Sequence, residues 1–248
     1  MEIMNRQTTK RVFLTGGTAG IGRATALQLA AKGYYVFIIG RSADKLEDFL
    51  KDAAAQDLHH NIGYLLQDLT DQEALERLLP EIWSSHGPFD VLINNAALGF
   101  AGVYGVEINQ LSYMTKTNMD AYLLLSGFFA QQMAESNIAG DIINIGSMSA
   151  DSREGKSSGY VATKAGIQGF TEALRKELNP KNIRVSLIEP GAVGTDMQPS
   201  SPEEQRELEE KLEMLKAEDI AEAINFVLGQ DRRVSIVSMQ IKALRQFI

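Results

Sequence analysis

Residues 11–22 read Arg11-Val-Phe-Leu-Thr15-Gly-Gly-Thr-Ala-Gly-Ile-Gly22, in which a short apolar run leads into a glycine-rich turn and then into a helical segment. Gly16, Gly20 and Gly22 let the backbone turn tightly, approach a ligand closely and bring the helix near the strand. The start of the helix adds unpaired N–H groups and the positive end of its dipole. The stretch therefore predicts a strand, turn and helix unit that holds a pyrophosphate group. Its spacing, with no following Gly-Lys pair, argues against a P-loop, and a plain tight turn is the other interpretation.

Outward from this unit, short apolar runs alternate with helical segments along the chain. The predicted strands are residues 11–15, 35–39, 63–66, 90–94, 141–145, 183–188 and 234–241. The predicted helices are residues 20–32, 43–55, 71–85, 108–135, 160–178 and 218–228. Such alternation requires right-handed crossovers that place helices over both faces of a parallel sheet. We therefore predict an α/β fold, a doubly wound parallel sheet of about seven strands, in one domain spanning residues 1–248 with a tail at residues 1–9.

The composition limits what the chain can do. Its 248 residues lie within the ~250 that one α/β domain can reach, and its net charge of −8 provides no attraction for nucleic acid or an anionic membrane. The absence of cysteine excludes disulfides and thiolate chemistry. The N-terminus lacks an apolar signal segment, so we expect a cytoplasmic protein. His59 and His60 would point apart on a helix, and His86 has no ligand partner at metal spacing, so we predict no metal site.

The end of the second predicted strand reads Ile38-Ile39-Gly40-Arg41-Ser42. In dinucleotide sites an acidic residue at this point binds the ribose hydroxyls of NAD, whereas an arginine suits the 2′-phosphate of NADP. Because no carboxylate ends this strand and Arg41 follows it, we predict NADP(H). Asp44 is the nearby acid that could reverse the preference, and the alternative for Arg41 is an ordinary solvated charge.

A hydroxyl, a phenol and an ammonium group recur close together later in the chain. Tyr160-Val-Ala-Thr-Lys164 places tyrosine and lysine four residues apart on one helical face. A neighbouring ammonium favours the phenolate and lowers the pKa of the phenol toward neutral pH, where it can act as an acid or base. Ser147 follows a predicted strand at the sheet edge where ligands bind in this architecture, and Ser149 competes with it for the role. By itself, the tyrosine and lysine pair also fits ordinary helix surface.

Together these motifs resemble the short-chain dehydrogenase/reductase family from about Lys10 to the C-terminus. The matching segments are the cofactor turn Thr15–Gly22, the segment Asn94-Asn95-Ala96-Ala97, Asn118, Ser147, the pair Tyr160 and Lys164, and the loop Pro190-Gly-Ala-Val-Gly-Thr195. Ala97 departs from the pattern, because the family usually has glycine there. Six motifs in the family's order and spacing are far more specific than any one alone.

The resemblance implies a Rossmann fold and assigns roles that spacing does not provide. Tyr160 would protonate the carbonyl oxygen, and Ser147 would hydrogen-bond that oxygen. Lys164 would hold the nicotinamide ribose and lower the pKa of Tyr160, and Asn118 would anchor a water that connects Lys164 to solvent. The implied cofactor contacts are Gly16, Thr18, Gly20, Ile21, Gly22, Arg41, Ser42, Asp68, Leu69, Asn95, Ala96, Tyr160, Lys164, Pro190, Gly191, Val193 and Thr195.

We therefore expect an oxidoreductase that transfers a hydride between NADP(H) and a small carbonyl or alcohol substrate, as a homodimer or homotetramer. One alternative is a 3-oxoacyl-(acyl-carrier-protein) reductase, which the tail at residues 234–241 disfavours because it lacks the glycine-rich segment of that group. The other is a non-catalytic NADP-binding redox sensor, which the four filled catalytic positions disfavour.

Two segments each have two possible interpretations. Residues 196–217 are a candidate substrate lid, and the glutamate-rich residues 203–216 within them read equally as a solvated amphipathic helix. Arg153 and Lys156 precede Tyr160 and would bind an anionic substrate group or stay solvated.

Overall fold

The computed structural model describes residues 9–99 and 102–247, whose strands form one seven-stranded sheet in the order 3-2-1-4-5-6-7. The strands are β1 (Arg11–Thr15), β2 (Tyr35–Gly40), β3 (Ile62–Leu66), β4 (Val91–Asn94), β5 (Asp141–Ile145), β6 (Arg184–Pro190) and β7 (Ser238–Ile241). Each pairing between neighbours is parallel. The predicted doubly wound α/β fold is therefore confirmed.

Helices connect successive strands and cover both faces of the sheet. They are α1 (Gly20–Ala31), α2 (Ala43–Ala55), α3 (Gln72–His86), α4 (Ile108–Thr115), α5 (Ala121–Glu135), α6 (Ser149–Ser152), α7 (Ser158–Leu178), α8 (Pro202–Glu210) and α9 (Ala217–Leu228). Local signals set several ends: the Ser42 side chain accepts a hydrogen bond from the Lys45 N–H, and Gly33 takes a positive φ of 83° just after α1. Within the described ranges, no helix is both long and apolar enough to cross a bilayer.

The sheet separates two apolar cores, because alternate residues of each strand point to opposite faces. Val12 and Leu14 of β1 pack with α1, α2 and α9, whereas Phe13 packs on the other face with α3, α5 and α7. The central strands β1, β4, β5 and β6 are almost fully buried, as parallel strands covered on both faces should be. Strands from both halves of the chain share this one sheet, as a single domain would require. The predicted tail at residues 1–9 lies outside the described residues except for Thr9.

Three predicted elements differ from the structure, one in its internal geometry and two in extent. The helix predicted over 108–135 is interrupted at Lys116–Asp120, where the chain makes a π-helical turn between α4 and α5. The amphipathic helix predicted over 203–216 ends at Glu210, because Leu212 takes a positive φ of 62° and Leu215 pairs with Val193 in an isolated parallel bridge.

The last strand is also shorter than predicted, since β7 begins at Ser238 and not at Val234. The guanidinium of Arg184 donates to the backbone carbonyls of Gln230, Asp231 and Val234, and it pairs with the buried Asp141 at 2.6 Å. These bonds hold residues 230–234 around one side chain, so that this part of the chain does not join the sheet.

Candidate active site

A cleft of about 1000 Å³ opens at the carboxyl ends of the strands, where β1 and β4 lie side by side. From this pair the strand order runs through β2 to β3 on one side and through β5 and β6 to β7 on the other. Open α/β sheets bind ligands at this switch in strand order. Every predicted cofactor contact lines the cleft except Gly22, and of the predicted catalytic residues Asn118 alone does not. Further polar residues that the sequence did not single out also line the cleft: Lys45, Gln67, Tyr113, Thr117, Glu154, Ser157, Asp196, Gln198 and Gln246.

The glycine-rich turn keeps part of the cleft floor free of side chains. Gly16 and Gly20 have positive φ values of 67° and 50°, and a Cβ on Gly20 would come within 2.9 Å of the Thr195 side chain. A Cβ on Gly22 would meet the Gly16 carbonyl oxygen at 2.1 Å, so Gly22 permits close packing beneath the cleft. The N-cap residue of helix α1, Ala19, offers no capping side chain, and the first turn of the helix has no acidic residue. These features fit the pyrophosphate of a dinucleotide.

Hydrogen bonds connect this turn to the segment after β4. The Thr15 hydroxyl accepts from the backbone N–H groups of Asn95 and Ala96, at 2.9 and 3.0 Å. The Asn95 amide donates to the Thr15 carbonyl at 2.9 Å. The two strand ends that border the switch point are therefore held in fixed relation, which places Ala96 beside Gly16 in the cleft wall.

One end of the cleft carries a network centred on Tyr113. The Tyr113 hydroxyl donates to the Asp68 carboxylate at 2.6 Å and accepts from the guanidinium of Arg41, whose Cζ lies 5.4 Å from the centre of the Tyr113 ring. Burial would raise the pKa of Asp68, but hydrogen bonds from Tyr113 and Thr70 outweigh it and hold that pKa below its usual value. Tyr113 precedes Thr117 by one helical turn, and no sequence pattern marked it; only its place on the helix that carries Asn118 could have suggested it.

The catalytic candidates Ser147 and Tyr160 meet in the middle of the cleft. Ser147 follows β5, and its oxygen accepts from the Ser149 N–H at 3.2 Å. Tyr160 stands in the first turn of α7 and lines the cleft together with Ser147. Burial raises the pKa of Tyr160, the Ser147 hydroxyl counters this rise, and the negative charge of Glu154 reinforces it.

Lys164 lies one turn below Tyr160 and is 1% exposed. Its ammonium donates to the Ile145 carbonyl at 2.8 Å and stands 5.7 Å from the ring centres of Tyr122 and Tyr160. Burial without a carboxylate partner lowers the pKa of Lys164 to about 7. Burial penalises both the phenolate of Tyr160 and the ammonium of Lys164, so it raises the pKa of the first and lowers that of the second. The lowering of the Tyr160 pKa by Lys164 stays a prediction.

Asn118 is fully buried in the π-helical turn, and its amide has protein partners on both sides. Its oxygen accepts from the Leu98 N–H at 2.8 Å, and its nitrogen donates to the Leu98 carbonyl at 2.9 Å and to Thr163 at 3.3 Å. Asn118 thus ties the segment after β4 to helix α7. Its role as an anchor for a water stays a prediction.

The segment after β6 also borders the cleft. Gly191 donates to the Ile241 carbonyl at 2.7 Å, and Gln246 accepts from the Ala192 N–H at 3.1 Å. Lys45 on α2 forms an ion pair with Asp196, which connects the Arg41 side of the cleft to this segment. The chain beyond β7 therefore contributes to the site through Gln246, a contact that no local sequence signal indicates.

Away from the cleft, the exposed side chains of Asp57, His59 and His60 place their ligand atoms within 4.8 Å of one another. The prediction of no metal site assumed that the two histidines are neighbours on a helix and did not include Asp57. In the structure they belong to a 3₁₀ turn. The prediction of no metal site stays a prediction.

Comparison with known proteins identifies the family. Residues 10–206 match the family described as short chain dehydrogenase. The chain belongs to this family. As a short-chain dehydrogenase it is a nicotinamide-dependent oxidoreductase acting on CH–OH groups, and the family predicted from its motifs is confirmed.

This short-chain dehydrogenase is similar to curated relatives over almost its whole length. It is 30% identical to serine 3-dehydrogenase of Rhizobium radiobacter, covering 95% of this chain and 94% of the relative. It is 31% identical to 3-oxoacyl-(acyl-carrier-protein) reductase of Haemophilus influenzae, covering 90% and 91%. Among solved structures, the closed form of serine dehydrogenase complexed with NADP+ superimposes with a TM-score of 0.83 and 27% identity, covering 96% of each chain.

Proposed function

We propose that this short-chain dehydrogenase transfers a hydride between NADP(H) and a small carbonyl or alcohol substrate. The observation that carries the proposal is that Ser147, Tyr160 and the buried Lys164 line one cleft together with the glycine-rich turn. The similarity to a serine dehydrogenase complexed with NADP+ supports the choice of cofactor. The homo-oligomer and the cytoplasmic location stay predictions from the sequence.

The chain's own residues supply binding and proton transfer, and the bound cofactor supplies the hydride chemistry. Tyr160 donates a proton to the carbonyl oxygen during reduction, and Ser147 donates a hydrogen bond to the same oxygen and stabilises its developing charge. With a pKa of about 7, Lys164 can return a proton toward Tyr160 near neutral pH. In alcohol oxidation the same groups act in reverse, and Tyr160 accepts the proton.

The preference for NADP(H) rests on Arg41. Its guanidinium follows β2 without a carboxylate at the strand end, and Tyr113 holds it at the border of the cleft. A guanidinium binds phosphate through charge-assisted hydrogen bonds, so NADPH should bind at least about tenfold more tightly than NADH. Fluorescence titration with both nucleotides measures the two dissociation constants, and equal values would refute the assignment.

Tyr160→Phe tests the proposed acid. The variant keeps the ring and its packing but lacks the transferable proton, so turnover should fall by about a hundredfold or more, while NADPH binding changes little. The assay follows NADPH absorbance with ketones and aldehydes, a 3-oxoacyl thioester, and NADP+ with β-hydroxy acids. Substantial activity of the variant would contradict the role, and a wild-type protein that binds NADPH but turns over none of the panel would favour the redox-sensor alternative.

A further inference from the structure

The segment between α6 and α7 turns a carboxylate toward the cleft. Glu154 lines the cleft together with Ser149 and Tyr160. The two flanking cations, Arg153 and Lys156, do not line it, although sequence reasoning considered them for an anionic substrate group. Arg153 has a positive φ of 52°, and its Nε donates back to the Ala150 carbonyl. The only charge that this segment presents to the substrate side is therefore negative.

Glu154 is held in its ionised form. Its carboxylate accepts a hydrogen bond from the Ser152 hydroxyl at 2.5 Å. Partial burial would raise the pKa of Glu154, but hydrogen bonding, led by that from Ser152, outweighs this effect and the pKa lies below its usual value. Within the part of the chain that the structure describes, no lysine, arginine or histidine is within 4 Å of this carboxylate.

The other charged side chains that line the described part of the cleft are already paired or buried. Asp196 pairs with Lys45, and both Arg41 and Asp68 bind Tyr113 at the opposite end. Lys164 is buried beneath Tyr160. A substrate carboxylate would therefore meet Glu154 and no available cation near Tyr160. A substrate cation would instead find an ionised partner and would also offset the negative charge that Glu154 places near Tyr160.

We propose that Glu154 binds a cationic group of the substrate, so that the substrate is a small amino alcohol or the corresponding amino ketone. This inference rests on the proposed function, because it concerns the substrate of that same site. Ser152 acts through Glu154 by orienting its carboxylate toward the cleft. Recognition of the ammonium group then places the neighbouring carbinol carbon between Ser147 and Tyr160.

Three alcohols that share one carbinol group test the charge preference. Isopropanolamine carries an ammonium group, sec-butanol is neutral, and β-hydroxybutyrate carries a carboxylate. With NADP+ near neutral pH, KM for isopropanolamine should be about fivefold or more below that for sec-butanol, as expected for one partly exposed ion pair. β-Hydroxybutyrate should have the highest KM. A preference for β-hydroxybutyrate, or equal KM values for all three, would overturn the inference while leaving the proposed hydride transfer intact.

Glu154→Gln removes the charge and retains the shape of the side chain. It should raise KM for isopropanolamine about fivefold and leave KM for sec-butanol within about twofold. Glu76→Gln is the matched control, because Glu76 is exposed on α3 and does not line the cleft. An equal effect of Glu154→Gln on both alcohols would show a structural role and refute the inference.

A binding measurement separates this inference from the proposed function. Isobutylamine has the size and charge of the expected substrate but no hydroxyl to oxidise, and ligand-observed NMR titration reports its dissociation constant without turnover. About fivefold weaker binding to Glu154→Gln than to wild type supports the cation subsite even if no alcohol is oxidised. Equal binding to both proteins refutes it, whereas failure to bind NADPH or to oxidise any alcohol counts against the proposed function alone.

Discussion

Lys164 holds a titratable ammonium group in the protein interior, where one carbonyl and two aromatic rings surround it. Burial lowers its pKa from the ordinary value of 10.5 to about 7. Between these two pH values the unfolded chain binds more protons at Lys164 than the folded chain, so this group makes stability rise with pH. Below pH 7 both states are charged and the folded state bears the whole desolvation cost.

Replacing Lys164 by methionine should therefore change stability in a pH-dependent way. The stability of Lys164→Met relative to wild type should be greatest below pH 7 and should decline as pH rises toward 10.5, by a few kcal/mol in total, because one pKa unit corresponds to about 1.4 kcal/mol. Urea unfolding of both proteins across this range measures the difference. A difference that does not vary with pH would contradict the lowered pKa.

Tyr113 lies between Asp68 and Arg41, which could form a direct ion pair if Tyr113 did not bind both. Its hydroxyl binds both Asp68 and Arg41, and its ring lies under the guanidinium. Tyr113→Phe retains the ring and removes the bridge, so Arg41 should turn toward Asp68 and be less available to a 2′-phosphate. We expect the ratio of the NADH to the NADPH dissociation constant to fall about fivefold, with NADH binding nearly unchanged. Fluorescence titration gives both constants, and an unchanged ratio would show that Arg41 does not depend on Tyr113.

At the scale of elements, the turn between β1 and α1 leaves room for a ligand because its glycines have no side chains. Gly20→Ala introduces a Cβ at a φ of 50° and brings it to 2.9 Å from Thr195. It should lower the free energy of unfolding by about 1 kcal/mol and weaken NADPH binding about tenfold, because the turn can no longer approach a pyrophosphate.

Gly127→Ala provides the control for this substitution. Gly127 lies on the exposed side of α5, where an added Cβ meets nothing within 4 Å. Alanine there should raise the free energy of unfolding by about 0.5–1 kcal/mol and leave NADPH binding unchanged. Denaturant unfolding and nucleotide titration of both variants separate the two effects, and similar losses of binding in both would contradict the assignment of the turn.

At the scale of the whole molecule, the cleft collects residues from both halves of the sheet and from the chain after β7. A ligand that contacts all of these parts stabilises the folded state as a unit. NADPH at about a hundred times its dissociation constant should add roughly 2.7 kcal/mol and raise the melting temperature by roughly 5–10 °C. NADH at the same concentration should give a smaller rise in a thermal-shift measurement. Equal rises would contradict the NADP preference, and no rise with either would contradict the nucleotide site.

Much of this architecture could be predicted because it depends on local rules. Alternating apolar runs and helical segments specify the doubly wound sheet, and four-residue spacing places Tyr160 and Lys164 on one face of α7. The glycines of the first turn predict, from the sequence alone, a loop without bulky side chains that a ligand can approach closely. Local patterns failed where a distant partner competes, as at Leu212, whose carbonyl accepts from the Arg245 N–H.

The tertiary fold assigned the contacts that join residues far apart in the chain. Tyr113 is 72 residues from Arg41 and 45 from Asp68, and Gln246 is 54 from Ala192. Only the crossovers and the packing of helices on the sheet bring such pairs together, because hydrophobic periodicity orients a side chain toward a face without choosing its partner. Tertiary structure also decides that Glu154 lines the cleft whereas Arg153 and Lys156 do not. The turn before α7 and the hydrogen bond from Ser152 select which of these three neighbouring charges faces the substrate.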